Sequence, residues 1–467
     1  MILSRRGFLT ASAASAAALA SRPASAAATR FPGIDGGKSA GLFLKEDDGL
    51  APATFDRLPI EWHHGRVKAL QAFLAEEGYA GALLTDRWNI LYFTGLFHST
   101  TERPFSVFVP AEKLSAIWFA PGLDRDLVTS WWSTEADFYF DFLHAEGGFP
   151  HEGKVQQGKT VDLWEWALRG LKRRGYEGKR LALDREPSRR QAETAGKVFL
   201  KDTRIDSIAD RCERMRMIKT PEELALWRRA YRVFDETHAF ARDLLLARGT
   251  DLTDYELGHA AEEFGIARLM EGIKRDGAPH TAVGISLGVT VRVGRATAYP
   301  HPNQFFYNKI QKGQPLQIAG GVRIGGQGGE LYRAFLLHPW TDHQRKVWTV
   351  ARDSCLMQKD LSREGIVCSN VAYAIHQHQV KEGMQKFVYH RPAHGMGTEG
   401  HQPPYLALGD YTMLQPGMIF SVEPGLYDPA NNFGVNFSDG FVVQGGGKPS
   451  LQMSRLPWSE EWCLVRL

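Results

Sequence analysis

The chain is 467 residues long, which suggests two or three domains at about 100–200 residues each. Hydrophobic residues make up 43% and charged residues 23%, ordinary globular proportions that exclude a wholly disordered chain. The 56 Lys and Arg nearly balance 53 Asp and Glu, leaving +3, so charge makes no case for a nucleic-acid partner.

Residues 1–26 read as a secretory signal. Arg5-Arg6 precede Phe8-Leu9, an Ala-rich run reaches Ala20, and Ala24-Ser25-Ala26 supplies a small-x-small cleavage site. The arginine pair is similar to the twin-arginine export signal, so a periplasmic or secreted mature protein is expected. No apolar stretch of the mature chain suits a bilayer-spanning helix, and no membrane association is expected of it. Export permits disulfides, but spacing assigns none to Cys212, Cys355, Cys368 and Cys463; buried free thiols are expected.

Residues 27–57 are Gly-rich and irregular and read as an extended arm. From 58 to 212 the pattern alternates. Arg66 to Leu74 reads as an amphipathic helix. The apolar runs Ala80–Leu84, Ile90–Leu96, Phe105–Val109 and Leu114–Ala120 read as strands bounded by turn residues. Helical patterns return at 161–171 and 189–200, with a strand-like run at 180–183 between them. This is an α/β region.

A second unit, 213–467, opens at Thr220-Pro221-Glu222-Glu223. Thr220 suits an N-cap, Pro221 the first turn, and Glu223 closes a capping box. A second helix is expected after Thr253, with Glu256 three residues on. Strands are expected at 283–287, 289–293, 315–318 and 331–337. Helices follow at 342–360 and 366–384, then strands at 418–422 and 434–443. Helices flanking an antiparallel sheet make an α+β unit.

Four blocks carry candidate chemistry. His301 stands between Pro300 and Pro302 on a stiffened loop. Gln317-Ile-Ala319-Gly-Gly leads to Glu330-Leu-Tyr-Arg333. Pro392-Ala-His394-Gly-Met-Gly-Thr-Glu-Gly-His401 places glycines beside histidines, which lets a backbone approach closely. Pro416-Gly-Met-Ile-Phe-Ser-Val-Glu423-Pro-Gly ends an apolar strand on an acid. Singly, each is a common structural feature. In this order they offer acid, base and ligand groups to one cleft.

The ordered set resembles the pita-bread (M24) family of methionine and Xaa-Pro aminopeptidases, prolidase and creatinase, over about residues 58–467. The Ile-Lys-Thr-Pro-Glu-Glu helix start, the His-Gly-x-Gly block and the Pro-Gly-Met-x-Phe-Ser-x-Glu-Pro-Gly block carry the resemblance, together with Asn89-Ile-Leu-Tyr-Phe-Thr-Gly95. It implies an α+β pita-bread catalytic domain behind a smaller α/β creatinase-type domain, and a homodimer.

Metal-dependent relatives hold two divalent ions on two Asp, one His and two Glu. The matching positions are Ala319, Glu330, His394, Glu423 and Ser438, with Asp439 beside the last. Two of five ligands are lost, so no two-metal site is expected. A single divalent ion on Glu330, His394 and Glu423 stays open.

Creatinase implies a metal-free route. His301 matches its proton-passing His, Glu423 and Glu330 would orient the substrate, and His394 completes the catalytic set. The resemblance also implies that Arg103, which lies eight residues after Gly95, binds the substrate carboxylate at the site of the partner subunit, and that His401 contacts the substrate. Arg333 is a further substrate-binding candidate. The loops 98–103 and 403–408 are expected to set specificity.

The leading reading is therefore an exported, metal-independent creatinase-like hydrolase of a C–N bond in a small polar substrate or dipeptide. The alternatives are a metal-dependent Xaa-Pro aminopeptidase or dipeptidase with a rearranged site, and a non-catalytic binding module.

Overall fold

The computed structural model describes residues 30–45, 49–98, 101–140, 162–200, 202–274, 284–301 and 307–467. The signal-like segment 1–26 lies outside them. Among the described residues no helix is long and apolar enough to cross a membrane.

The N-terminal region is built on a six-stranded sheet of β1 (Gly81–Leu84), β2 (Ser106–Pro110), β3 (Ile117–Pro121), β4 (Ala136–Tyr139), β5 (Arg180–Leu183) and β6 (Arg204–Ser207). The spatial order is β4-β3-β2-β1-β5-β6. Both faces are covered, which is why these strands read as unbroken apolar runs rather than alternating ones. Ala82 and Leu84 enter one core with Val67, Leu70 and Val107, while Leu83 points through the sheet into another with Phe108 and Leu168.

Residues 90–94 of the run 90–96 lie in the helix Arg87–Thr94, not in the strand their composition suggests. Local chemistry overrides the β-like residues. Asp86 caps the first turn by accepting from the Trp88 and Asn89 amides, and Gly95 closes the last turn at φ 74°.

In the C-terminal region Thr220 and Glu223 form the capping box, and the helix Pro221–Arg248 runs for 28 residues. Asp254–Glu271 is capped the same way by Thr253 and Glu256. The remaining strands are β7 (Ser286–Val293), β8 (Pro315–Arg323), β9 (Arg333–Leu337), β10 (Ala393–Gly395), β11 (Gln402–Leu406), β12 (Ile419–Val422), β13 (Leu426–Asp428), β14 (Phe433–Val435), β15 (Gly440–Val442), β16 (Leu451–Gln452) and β17 (Leu464–Val465). They form a sheet of order β17-β9-β8-β7, one of order β11-β10-β12-β15-β16, and the β13–β14 hairpin. Of the two strands expected at 283–287 and 289–293, residue 283 lies outside the described residues and 286–293 form the single strand β7. The one expected at 434–443 is divided between β14 and β15. The helices Asp342–Leu361 and Cys368–Lys381 follow β9.

The arm does not stand free. Ser39 Oγ donates to Asp243 Oδ1 at 2.6 Å and accepts from Arg242 Nη1 at 2.9 Å, tying the arm to the long helix. All four cysteines are buried and unbridged.

Candidate active site

Register brings the chemistry together. In the β7–β8 ladder Thr290 pairs with Ala319 and Arg292 with Gln317, and just beyond β8's partner strand Gly321 bridges Glu330. Residues two apart share a face, so Glu330 joins the face of Ala319. On the neighbouring sheet Ala393 pairs with Val422 and His394 with Ser421. Glu423 follows directly, its amide donating to Pro392 O at 2.8 Å.

Four side chains converge. His394 is buried, and its Nε2 lies 3.0 Å from Glu423 Oε1 and 3.7 Å from Glu330 Oε2. His401 is exposed; its ring stacks on His394 at 3.7 Å and its Nε2 lies 3.8 Å from Glu330 Oε1. Ser421, which sequence reasoning missed, donates to Glu330 Oε2 at 3.3 Å and pairs with Ser438 Oγ at 2.6 Å. Its signal was its place in Phe-Ser-Val-Glu, two residues before the acid. Tyr231 OH holds the Glu330 backbone carbonyl at 2.8 Å.

The charges sustain one another. Burial favours a neutral Glu330, but His394 and His401 hold its carboxyl well below the usual carboxylate range. Burial likewise opposes charge on His394, yet Glu330 and Glu423 raise it to about 9.

Among the described residues one cluster of side chains could hold a cation. His394 Nδ1 donates to Gly395 O at 3.1 Å, which leaves Nε2 as the inward atom. That Nε2 is buried and makes no aligned hydrogen bond. Ligand atoms of Glu330, His394 and His401 all lie within 4.8 Å of one another. Among the described residues, Ala319 offers no side-chain ligand atom, and Ser438 Oγ is paired with Ser421 Oγ. Asp439 is ion-paired to Arg333 at 2.7 Å and accepts from Ser454 Oγ. The set assembled around His394 therefore includes His401, which the sequence suggested only as a substrate contact.

Three other sequence candidates are not gathered here. His301 is exposed on the loop after β7, and among the described residues it forms no hydrogen bond or ion pair with Glu330, His394 or Glu423. The preceding carbonyl, that of Pro300, accepts from Arg292 at 2.9 Å. Arg103 lies in the N-terminal domain, paired with Glu102. Arg333 is corrected from substrate contact to structural residue. It pairs with Ile318, so it shares the face opposite Ala319, and its side chain is 0% exposed. Its guanidinium is engaged by Asp439, Ser438 O, Leu456 O and Pro457 O.

Comparison with known proteins agrees with this architecture. Residues 66–218 match the Creatinase/Prolidase N-terminal domain, and residues 225–445 match Metallopeptidase family M24. A Xaa-Pro dipeptidase of Lactobacillus delbrueckii subsp. lactis is 25% identical over 395 residues, covering 83% of this chain and 96% of that protein. Among solved structures, a prolidase from Thermococcus sibiricus superposes with a TM-score of 0.68 at 21% identity, over 88% of this chain and 100% of the other. Aminopeptidase P from E. coli, crystallised with the inhibitor Pro-Leu, gives 0.61 at 16% identity, over 87% and 98%. The chain is thus a hydrolase of the M24 pita-bread family, with a creatinase/prolidase domain ahead of its M24 domain.

Proposed function

We propose that the protein is a dipeptidase acting on Xaa-Pro or similar short peptides, with one divalent cation held by Glu330, His394 and His401. The buried, unaligned Nε2 of His394, aimed between two carboxylates and stacked on a second imidazole, carries this reading. The names of the relatives support it.

A cation there supplies Lewis-acid polarisation of a carbonyl and acidification of a water. The remaining work falls to the chain. Gly395 O fixes the His394 ring, and Ser421 orients Glu330. Glu423, partly exposed beside them, can take a proton from the attacking water and return it to the leaving nitrogen.

The test is metal content and turnover together. The purified protein should load about one equivalent of Zn2+, Mn2+ or Co2+ per chain, and chelation should abolish Xaa-Pro dipeptide hydrolysis until metal is restored. Two equivalents per chain would contradict the ligand count. Full turnover in chelator would instead favour the creatinase-type route, in which His301 is the proton relay and Glu423 and Glu330 orient the substrate.

We also infer twin-arginine export of a mature chain beginning after Ala26, checked by N-terminal sequencing of the periplasmic fraction. A homodimer is proposed from the family resemblance, checked by light scattering.

A further inference from the structure

Glu330 and Tyr332 stand two residues apart on the segment that enters β9, and alternation gives them the same side of it. Leu331 and Arg333 take the other side, fully buried in the core. Two backbone hydrogen bonds fix Tyr332: its amide donates to Ser438 O at 3.0 Å, and its carbonyl accepts from the Ser438 amide at 3.2 Å. The ring is thereby directed to the side of the ligand cluster, where Tyr332 stays partly exposed. Its hydroxyl donates to the Glu330 carboxylate and lies in the fields of Glu423 and Arg292.

Arg292 reaches this point by register. It faces Gln317 across the β7–β8 ladder, two residues from the Thr290–Ala319 pair, so it shares the face of Ala319 and Glu330. Nη1 is anchored on Pro300 O at 2.9 Å, and the guanidinium charge acts on the Tyr332 hydroxyl. A cation beside a phenol polarises its O–H and strengthens it as a donor. On this face β8 itself contributes Ala319, which has neither charge nor side-chain donor. Hydrolysis of a C–N bond here puts negative charge on one oxygen: water adds to the carbonyl carbon as its proton passes to Glu423, and the C=O π pair moves onto the oxygen. A fixed donor close to that oxygen lowers the barrier.

We propose that Tyr332 is a further catalytic residue, its hydroxyl turning from Glu330 to the oxyanion as the tetrahedral intermediate forms, and that Arg292 is the positioning residue that polarises it. The phenol transfers no proton. It lends a hydrogen bond while the C–O bond forms, and returns to Glu330 when the C–N bond breaks and Glu423 gives its proton to the leaving nitrogen. The proposal rests on the dipeptidase reading and deepens it by naming the oxyanion donor.

Tyr332→Phe removes the hydroxyl and keeps the ring and both backbone hydrogen bonds. In the full-length, Mn2+-loaded protein it should lower kcat for Ala-Pro by about 100- to 1,000-fold and leave KM within about twofold. Affinity for the phosphinic analogue of Ala-Pro, whose tetrahedral P–O− group mimics the intermediate, should fall in parallel, whereas affinity for a reduced-bond Ala-Pro should not. Mn2+ stoichiometry and affinity should match the wild type. Arg292→Met should lower kcat by a smaller factor, and Arg292→Lys should restore part of it. An unchanged kcat in Tyr332→Phe overturns the proposal. So does a kcat recovered by excess Mn2+, which would make Tyr332 a support for Glu330 alone. A wild type that cleaves no Xaa-Pro dipeptide counts against the dipeptidase reading, and the analogue then decides on Tyr332: equal phosphinic affinity in wild type and Tyr332→Phe rejects the oxyanion donor.

Discussion

His394 Nε2 and Glu423 Oε1 stand 3.0 Å apart because the backbone ladder between β10 and β12 puts them there. Ala393 pairs with Val422, and the Glu423 amide is tied to Pro392 O, so neither side chain has slack along the strand. Such a pair is preorganised for a cation or a proton rather than assembled by the substrate.

His394→Ala should therefore abolish metal loading. Losing a partner outside the ligand set commonly costs about 10- to 100-fold in metal affinity, and losing a ligand should exceed that. Zn2+ titration followed by thermal shift checks it: the wild type should be stabilised by about 2.7 kcal/mol at 100 times its Kd, and the variant not at all.

His301→Ala separates the two hydrolytic routes. No described contact joins His301 to Glu330, His394 or Glu423, so the dipeptidase reading expects kcat to fall less than about tenfold. A general acid–base residue contributes about 10²–10⁴-fold, and a loss of that size would restore the creatinase-type relay. Steady-state kinetics on the metal-loaded protein decides between them.

Arg333→Met should act on stability. Both Arg333 and Asp439 are 0% exposed, so the substitution strands a buried carboxylate. Breaking such a pair costs about 3–5 kcal/mol. Urea unfolding should show that loss, while the folded fraction keeps its KM.

His238 should contribute to acid sensitivity. It is buried on the long helix, and desolvation, with Arg333 nearby, lowers it from 6.5 to about 3. Its folded value lies below its unfolded one, so its contribution to stability is complete above pH 6.5. It is lost as pH falls towards 3, because the unfolded chain takes up a proton that the folded one refuses. The slope is at most about 1.4 kcal/mol per pH unit. His238→Gln should flatten the urea-unfolding free energy between pH 6.5 and 4. His63, lowered to about 4 mainly by burial, acts in the same direction.

Much of this was legible in the chain. The Thr220 and Thr253 capping boxes mark helix starts through local hydrogen bonds, so they survive any tertiary context. Ala319 and Ser438 were legible as departures from the family's ligand pattern because the absence of a carboxylate is a property of residue type. The run 90–96 reads as a strand, yet most of it lies in the helix Arg87–Thr94, because a cap at Asp86 and a left-handed Gly95 outweigh β-like composition.

By itself, the sequence determined the ordered blocks and the domain types they belong to. Only the tertiary structure decided which face Arg333 takes, that His401 stacks on His394, and that Ser421 spans Glu330 and Ser438. Those relationships depend on strand register, where a shift of one residue turns every side chain to the opposite face. Register is set by pairing between segments distant in the chain, so no local pattern records it.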